Sequence, residues 1–158
     1  MEDVFLEGIR GDDYVGVQTY TRVRVGPDGP RQPAPAARVT QMGWEYWPEA
    51  LEACIRRAHA LADIPVLVTE NGIAIDDDRE RIEYVERALR GVQACLADGI
   101  PVEGYVYWSL LDNFEWAFGY APRFGLIAVD RATQVRMPRP SAHWLGAVAR
   151  ANRLLAVP

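Results

Sequence analysis

Short runs of β-branched and aromatic residues alternate with helix-period segments along this chain, and no other feature narrows its possible folds as far. Tyr14 to Tyr20, Val66 to Thr69 and Glu103 to Leu110 are short, apolar and followed by polar or glycine-containing turns, which predicts three buried strands. Three further segments carry apolar residues at helical spacing. In the first, Leu51, Ile55, Ala58 and Leu61 follow Pro48, a first-turn proline, and stop at Asp63, Ile64 and Pro65. In the second, Ile82, Val85, Leu89, Val92 and Leu96 step by 3, 4, 3 and 4 towards Gly99, with the run Asp76 to Asp78 in front. That run reads as a solvated turn with an N-cap rather than a cation site, because carboxylates are favoured beside the free N–H groups of a helix start. The third begins behind Pro140 with Ser141 as N-cap and turns Trp144, Leu145 and Val148 inward.

Strands and helices in this order pack as parallel strands joined by right-handed crossovers, an α/β fold. The apolar run Ile64 to Val68 suits a sheet covered on both faces. In such folds ligands meet the carboxyl ends of the strands, so the residues closing each strand are the candidates for chemistry.

Length sets a limit on how many units there can be. A chain of 158 residues suits one domain, whereas a closed eight-unit β/α barrel needs about 250 residues. Gly26 to Pro35 is rich in proline and reads as loop, part of an excursion over residues 26–40. A net charge of −5 gives no electrostatic reason to expect nucleic acid or an anionic membrane as partner, and the 17 basic residues, all Arg, are scattered. Cys54 and Cys95 sit far apart in helical segments and His59 and His143 stand alone, so neither a metal nor another cofactor is expected. No apolar run reaches the ~18 residues of a membrane span. Met1, Glu2 and Asp3 open without the basic and apolar regions of a signal peptide, which leads to the expectation of a cytoplasmic protein.

The second strand closes on Thr69, Glu70, Asn71 and Gly72, which aims a carboxylate at the mouth of the fold. The third runs through Tyr107, Trp108 and Ser109 to Asp112, Asn113, Phe114, Glu115 and Trp116. Acids flanked by aromatic rings suit a sugar, whose hydroxyls need bidentate acceptors and whose apolar face needs a flat π surface. Either motif alone is weak, since an aromatic at a strand end is more often core and a lone Glu is often an ion-pair partner.

Together they resemble a known family. Leu67 to Ile73 and Tyr107 to Tyr120 closely resemble the retaining β-glucosidases of glycoside hydrolase family 1, with supporting matches at Tyr14 to Arg22, Met42 to Pro48, Arg123 to Asp130 and Pro140 to Trp144, all in the family's order. The resemblance implies a partial TIM (β/α)8 barrel, about the last three βα units (strands 6 to 8), in a single C-terminal domain over 1–158. It implies that Glu70 is the catalytic nucleophile, which attacks the anomeric carbon, and that Tyr20 orients it. It further implies that Glu115 and Trp116 grip the outer hydroxyls of a β-glucoside or related glycoside, that Trp108 lies under the ring and that Phe124 lines the same subsite. Trp44, Trp47 and Trp144 are better explained as packing. Gln18 stands where the family usually has Asn, and Thr19 where it usually has Tyr; the Gln18 amide is long enough to reach a sugar hydroxyl.

The family's acid/base glutamate lies in an Asn-Glu-Pro motif that this sequence does not contain. The expectation is therefore a β-glucosidase portion that carries the nucleophile and glycone half but is inactive or nearly so alone. It would be completed by an N-terminal half-barrel or by self-association. The alternative is a non-catalytic sugar-binding or assembly module.

Overall fold

The computed structural model describes residues 3–158. Helix α1 (Asp3–Gly8) leads into strand β1 (Val15–Gln18) and a hairpin of β2 (Arg24–Gly26) and β3 (Gly29–Arg31). Helix α2 (Ala50–Ala62), strand β4 (Val66–Asn71), helix α3 (Asp78–Ala97) and strand β5 (Val102–Tyr107) follow. A second hairpin, β6 (Ile127–Val129) and β7 (Arg136–Pro138), precedes helix α4 (Pro140–Ala151). Strands β1, β4 and β5 form one parallel sheet in that order, so this is an α/β fold of the kind found in a partial β/α barrel.

The helices form where the apolar spacing places them, and their ends differ in detail. Pro48 lies just ahead of α2, whose C-cap is Asp63 in the left-handed region at φ 56°. The Asp77 side chain caps α3 by accepting from the Arg79 N–H at 2.9 Å. Asp78 is no solvated turn residue. It pairs with the fully buried Arg81 and accepts the Ser141 N–H and hydroxyl at 2.7 and 2.8 Å. Ser141 is therefore spent on tying α4 to α3, and Arg139 takes the N-cap position with Pro140 as the first helical residue. The proline-rich stretch also departs from loop, because β2 and β3 pair antiparallel around Pro27 and Asp28, with Val25 opposite Pro30. A two-stranded ribbon is all edge, and an edge tolerates a residue without an N–H.

One face of the sheet is packed and the other is open. Val15, Val17, Val66 and Val68 meet Leu51, Ile55 and Ala58 of α2 and Ala88, Val92 and Cys95 of α3 in the main core. A second cluster gathers Tyr46, Ile73, Ile82, Tyr84, Val85, Tyr107, Leu126 and Trp144. On the opposite face Gly16 and Gln18 are exposed, Leu67 and Thr69 half-buried and Val106 exposed. The sheet is thus covered on one side, contrary to the expectation from its apolar run. A run such as Ile64 to Val68 has the same composition whether or not its second face is covered within the same chain. Among the described residues no helix is long and apolar enough to cross a membrane, and no cluster of three or more His, Cys, Asp or Glu could hold a metal ion.

Candidate active site

The carboxyl ends of β1 and β4 bring Gln18 and Tyr20 into direct contact with Glu70. Gln18 stands opposite Glu70 in the ladder, and its Nε2 donates to Glu70 Oε1 at 3.0 Å. The Tyr20 hydroxyl donates to the other oxygen, Oε2. Both carboxylate oxygens therefore carry a neutral donor, an arrangement that fixes the head group. Burial pushes the Tyr20 phenol well above its ordinary value, reinforced by the hydrogen bond and charge of Glu70 and by the more distant charge of Glu115. Tyr20 is thus a proton-bearing donor at any working pH. The Gln18 amide, expected to reach a sugar hydroxyl, gives one N–H to Glu70.

After β5 the chain crosses close to β4. A Cβ on Gly72 would lie 1.8 Å from the Trp108 carbonyl oxygen, so only glycine lets the two strand ends approach this closely. The half-buried Trp108 is followed by Ser109, whose hydroxyl donates to the Leu111 carbonyl at 2.7 Å and lies 3.2 Å from Asn113 Oδ1. Asn113 Nδ2 in turn donates to Glu115 Oε2 at 2.7 Å, which orients that carboxylate as an acceptor. The loop is anchored from below where Arg139 makes a two-point pair with Asp112, at 3.1 and 2.8 Å. Trp116, in the 3₁₀ turn Trp116–Phe118, is 82% exposed.

Phe124 lies elsewhere than the family resemblance implies. It is 1% exposed, with its ring centroid 6.0 Å from that of Tyr20 and 6.4 Å from that of Trp44. In this arrangement it backs the tyrosine and offers no surface to a ligand. Trp44, expected as packing alone, closes the same trio at 5.7 Å from Tyr20. Trp47 lies under the Arg22 guanidinium, 3.3 Å from the ring centroid, and that guanidinium grips the buried Glu45 through two bonds of 2.9 and 2.8 Å. Trp144 is buried in the second core cluster.

Two contacts of the site carry only a weak signal in the sequence. Asn71 follows Glu70 in β4 and so faces the buried side, and Tyr84 occupies the apolar stripe of α3, where an aromatic reads as core. The usable hint was the polar tip of each. A buried amide or phenol needs partners, and here the partners are the strand ends that carry the site.

Comparison with known proteins gives concordant results. The model of glycosyl hydrolase family 1 matches residues 15–154. Beta-glucosidase A of Thermotoga maritima is 37% identical over 157 residues, covering 90% of this chain and 35% of the relative. A beta-galactosidase of Pyrococcus woesei is 36% identical, covering 83% of this chain and 30% of the relative. Among solved structures, beta-glycosidase BGL167 superposes with a TM-score of 0.92 at 55% identity, covering 99% of this chain and 37% of that one. The chain spans about a third of the length of these relatives.

Proposed function

The chain belongs to glycosyl hydrolase family 1, and on that premise we propose that it is the nucleophile-bearing portion of a retaining β-glycosidase, corresponding to strands 6 to 8 of the barrel. The observation that carries the reading is the doubly held carboxylate of Glu70 at the carboxyl end of β4, with Gln18 on one oxygen and Tyr20 on the other. In the reaction a Glu70 oxygen attacks the anomeric carbon of a β-glycoside and the aglycone leaves, giving a covalent glycosyl-enzyme that water later hydrolyses. Tyr20 and Gln18 hold the carboxylate aimed. Trp108 provides the floor under the sugar ring, and Glu115 with Trp116 binds its distal hydroxyls. Phe124 acts through Tyr20 rather than on the sugar.

Protonation of the leaving group needs a second carboxyl group, in acid form, on the opposite side of the bond. Glu115 is held as an acceptor by Asn113, and the sequence contains no Asn-Glu-Pro segment. Loss of general acid assistance typically costs 10²–10⁴-fold in rate. The chain alone is therefore inactive or nearly so on ordinary β-glucosides. A complementary half-barrel, or a second copy, would have to cover the open sheet face on which Leu67 and Val106 lie.

An activated donor separates nucleophile from acid. With a 2-deoxy-2-fluoro-β-glucosyl fluoride the leaving group needs no proton, and the C2 fluorine slows release of the adduct. The expected result is slow addition of one fluoroglucosyl mass, mapped to the peptide containing Glu70 and abolished in Glu70→Gln, without turnover of an aryl β-glucoside. An adduct that persists in Glu70→Gln would refute the assignment of the nucleophile. Fast aryl-glucoside turnover would refute the need for an outside acid. The alternative, a sugar-binding or assembly module, is favoured by the open sheet face, and it predicts thermal stabilisation by glucose, or a concentration-dependent dimer in light scattering, with no adduct.

A further inference from the structure

Beside Glu70 the regular strand ladder fails. The register shifts between Val17 and Gln18 where β1 meets β4, and again between Val68 and Asn71 where β4 meets β5. Such irregularities free a side chain to turn out of the sheet and interrupt the regular ladder. Around Glu70 the Thr19 N–H still donates to the Glu70 carbonyl at 3.1 Å and the Trp108 N–H to the Asn71 carbonyl at 2.9 Å, and side chains add to these bonds. The fully buried Asn71 donates through Nδ2 to the Thr19 carbonyl at 2.7 Å and accepts through Oδ1 from the Tyr105 hydroxyl at 2.8 Å. One amide therefore spans from β5 across β4 to the chain leaving β1.

Tyr84 completes the support from α3. It is fully buried, its ring stands edge-on to Tyr46 at 5.4 Å, and its hydroxyl donates to the Tyr20 carbonyl at 2.7 Å. Its oxygen also lies 3.4 Å from Asn71 Nδ2. The main chain of Thr19 and Tyr20 is thus held from behind at two successive carbonyls, while the Tyr20 side chain reaches forward to Glu70.

We propose that Asn71 and Tyr84 are positioning residues, which hold the Thr19–Tyr20 backbone so that the Tyr20 hydroxyl stays on the Glu70 carboxylate. This rests on the pairing of Tyr20 with Glu70 in the functional reading above. A phenol reaches a carboxylate only as well as its own Cα is placed. Removing the Tyr84 hydroxyl forces the Tyr20 carbonyl to find another donor, and the backbone that carries the phenol must move to reach one.

A packing role alone would lower stability and leave Tyr20 undisturbed, so the readout has to be Tyr20 itself. The chain has seven tyrosines, and labelling each with ¹³C at Cζ gives seven NMR signals, of which Tyr20→Phe identifies one. Glu70→Gln weakens the acceptor and calibrates how that signal responds to loss of the pair. Tyr84→Phe keeps the ring and its contact with Tyr46. It is expected to move the Tyr20 signal in the same direction as Glu70→Gln, by a smaller amount. Tyr46→Phe, which loses a hydroxyl bonded to the Glu80 carbonyl at 3.2 Å, is expected to leave it in place. A Tyr20 signal that shifts in Glu70→Gln but stays put in Tyr84→Phe overturns the positioning role. A signal that stays put in Glu70→Gln as well overturns the Tyr20–Glu70 pairing itself. Should Tyr84→Phe fail to fold, Tyr105→Phe removes only the hydroxyl that steadies Asn71, and the same shift is expected from it, with an unmoved signal counting against the proposal.

Discussion

Gly72→Ala tests the closest approach in the site. The added methyl carbon would sit 1.8 Å from the Trp108 carbonyl oxygen, 2.9 Å from its carbon and 3.3 Å from the Tyr107 ring. Non-bonded atoms do not come within 3.0 Å of a Cβ, so the Trp108 peptide has to retreat by about 1 Å or more, and it is backbone that cannot swing aside. Overpacking of this kind costs about 1–3 kcal/mol. Retreat also strains the bond from the Trp108 N–H to the Asn71 carbonyl at 2.9 Å, and losing it adds about 1 kcal/mol. The expected destabilisation is therefore about 2–4 kcal/mol, or roughly 4–16 °C in Tm for a chain of this size. Urea and thermal unfolding followed by circular dichroism measure it. Gly8→Ala is the control, because a methyl there meets nothing within 4 Å. If Gly72→Ala unfolds within about 0.5 kcal/mol of the parent, the two strand ends are not held together as described and the reasoning fails.

Arg81→Leu strands Asp78 without its cation and removes donors to the Ile75 and Arg123 carbonyls at 2.8 and 2.7 Å. Breaking a buried pair from one side costs about 3–5 kcal/mol, readable in urea unfolding, and a loss under about 1 kcal/mol would contradict the described burial. The Glu45 carboxyl is pushed down to about 2 from an ordinary 4.5, chiefly by hydrogen bonds from Arg22 and then Arg24, against its desolvation. Since the folded state binds this proton less readily than the unfolded one, the pair's contribution is whole above about pH 4.5 and is lost as pH falls towards about 2. Glu45→Gln should flatten the stability profile in that window, and an unchanged slope would count against the ion pair. Of the two free thiols, Cys54 is half-buried, whereas Cys95 is fully buried and burial raises its pKa. Ellman's reagent should find one fast thiol, absent in Cys54→Ser, and the second only on unfolding; two fast thiols would show that the α2–α3 core is looser than described.

The helices were the most legible part of the fold. Ile82, Val85, Leu89, Val92 and Leu96 repeat at a spacing that only one secondary structure can place on one face, and α3 runs through all of them. The hairpins were not legible, because β2 with β3 and β6 with β7 are strands of three residues, too short to show a period, and Pro30 argues against a strand on its own. Ser141 was misplaced as an N-cap for a related reason. A serine after a proline suits a helix start locally, but the acceptor that claims it, Asp78, lies 63 residues away.

By itself the sequence determined where the three parallel strands lie, though it ended them at Tyr20, Thr69 and Leu110 where the structure has Gln18, Asn71 and Tyr107, and through the motifs at those ends it determined the family. Strand ends are set by local apolar runs and turns, and family motifs are contiguous stretches such as Leu67 to Ile73. Tertiary structure alone decided how those ends meet. It set the Gln18 amide against Glu70, put Phe124 behind Tyr20, and set Asn71 and Tyr84 under the loop that carries the tyrosine. It also left the second face of the sheet open. Each of these depends on bulges and on contacts between residues that are distant along the chain. Their energies come from a few hydrogen bonds whose partners no local pattern names.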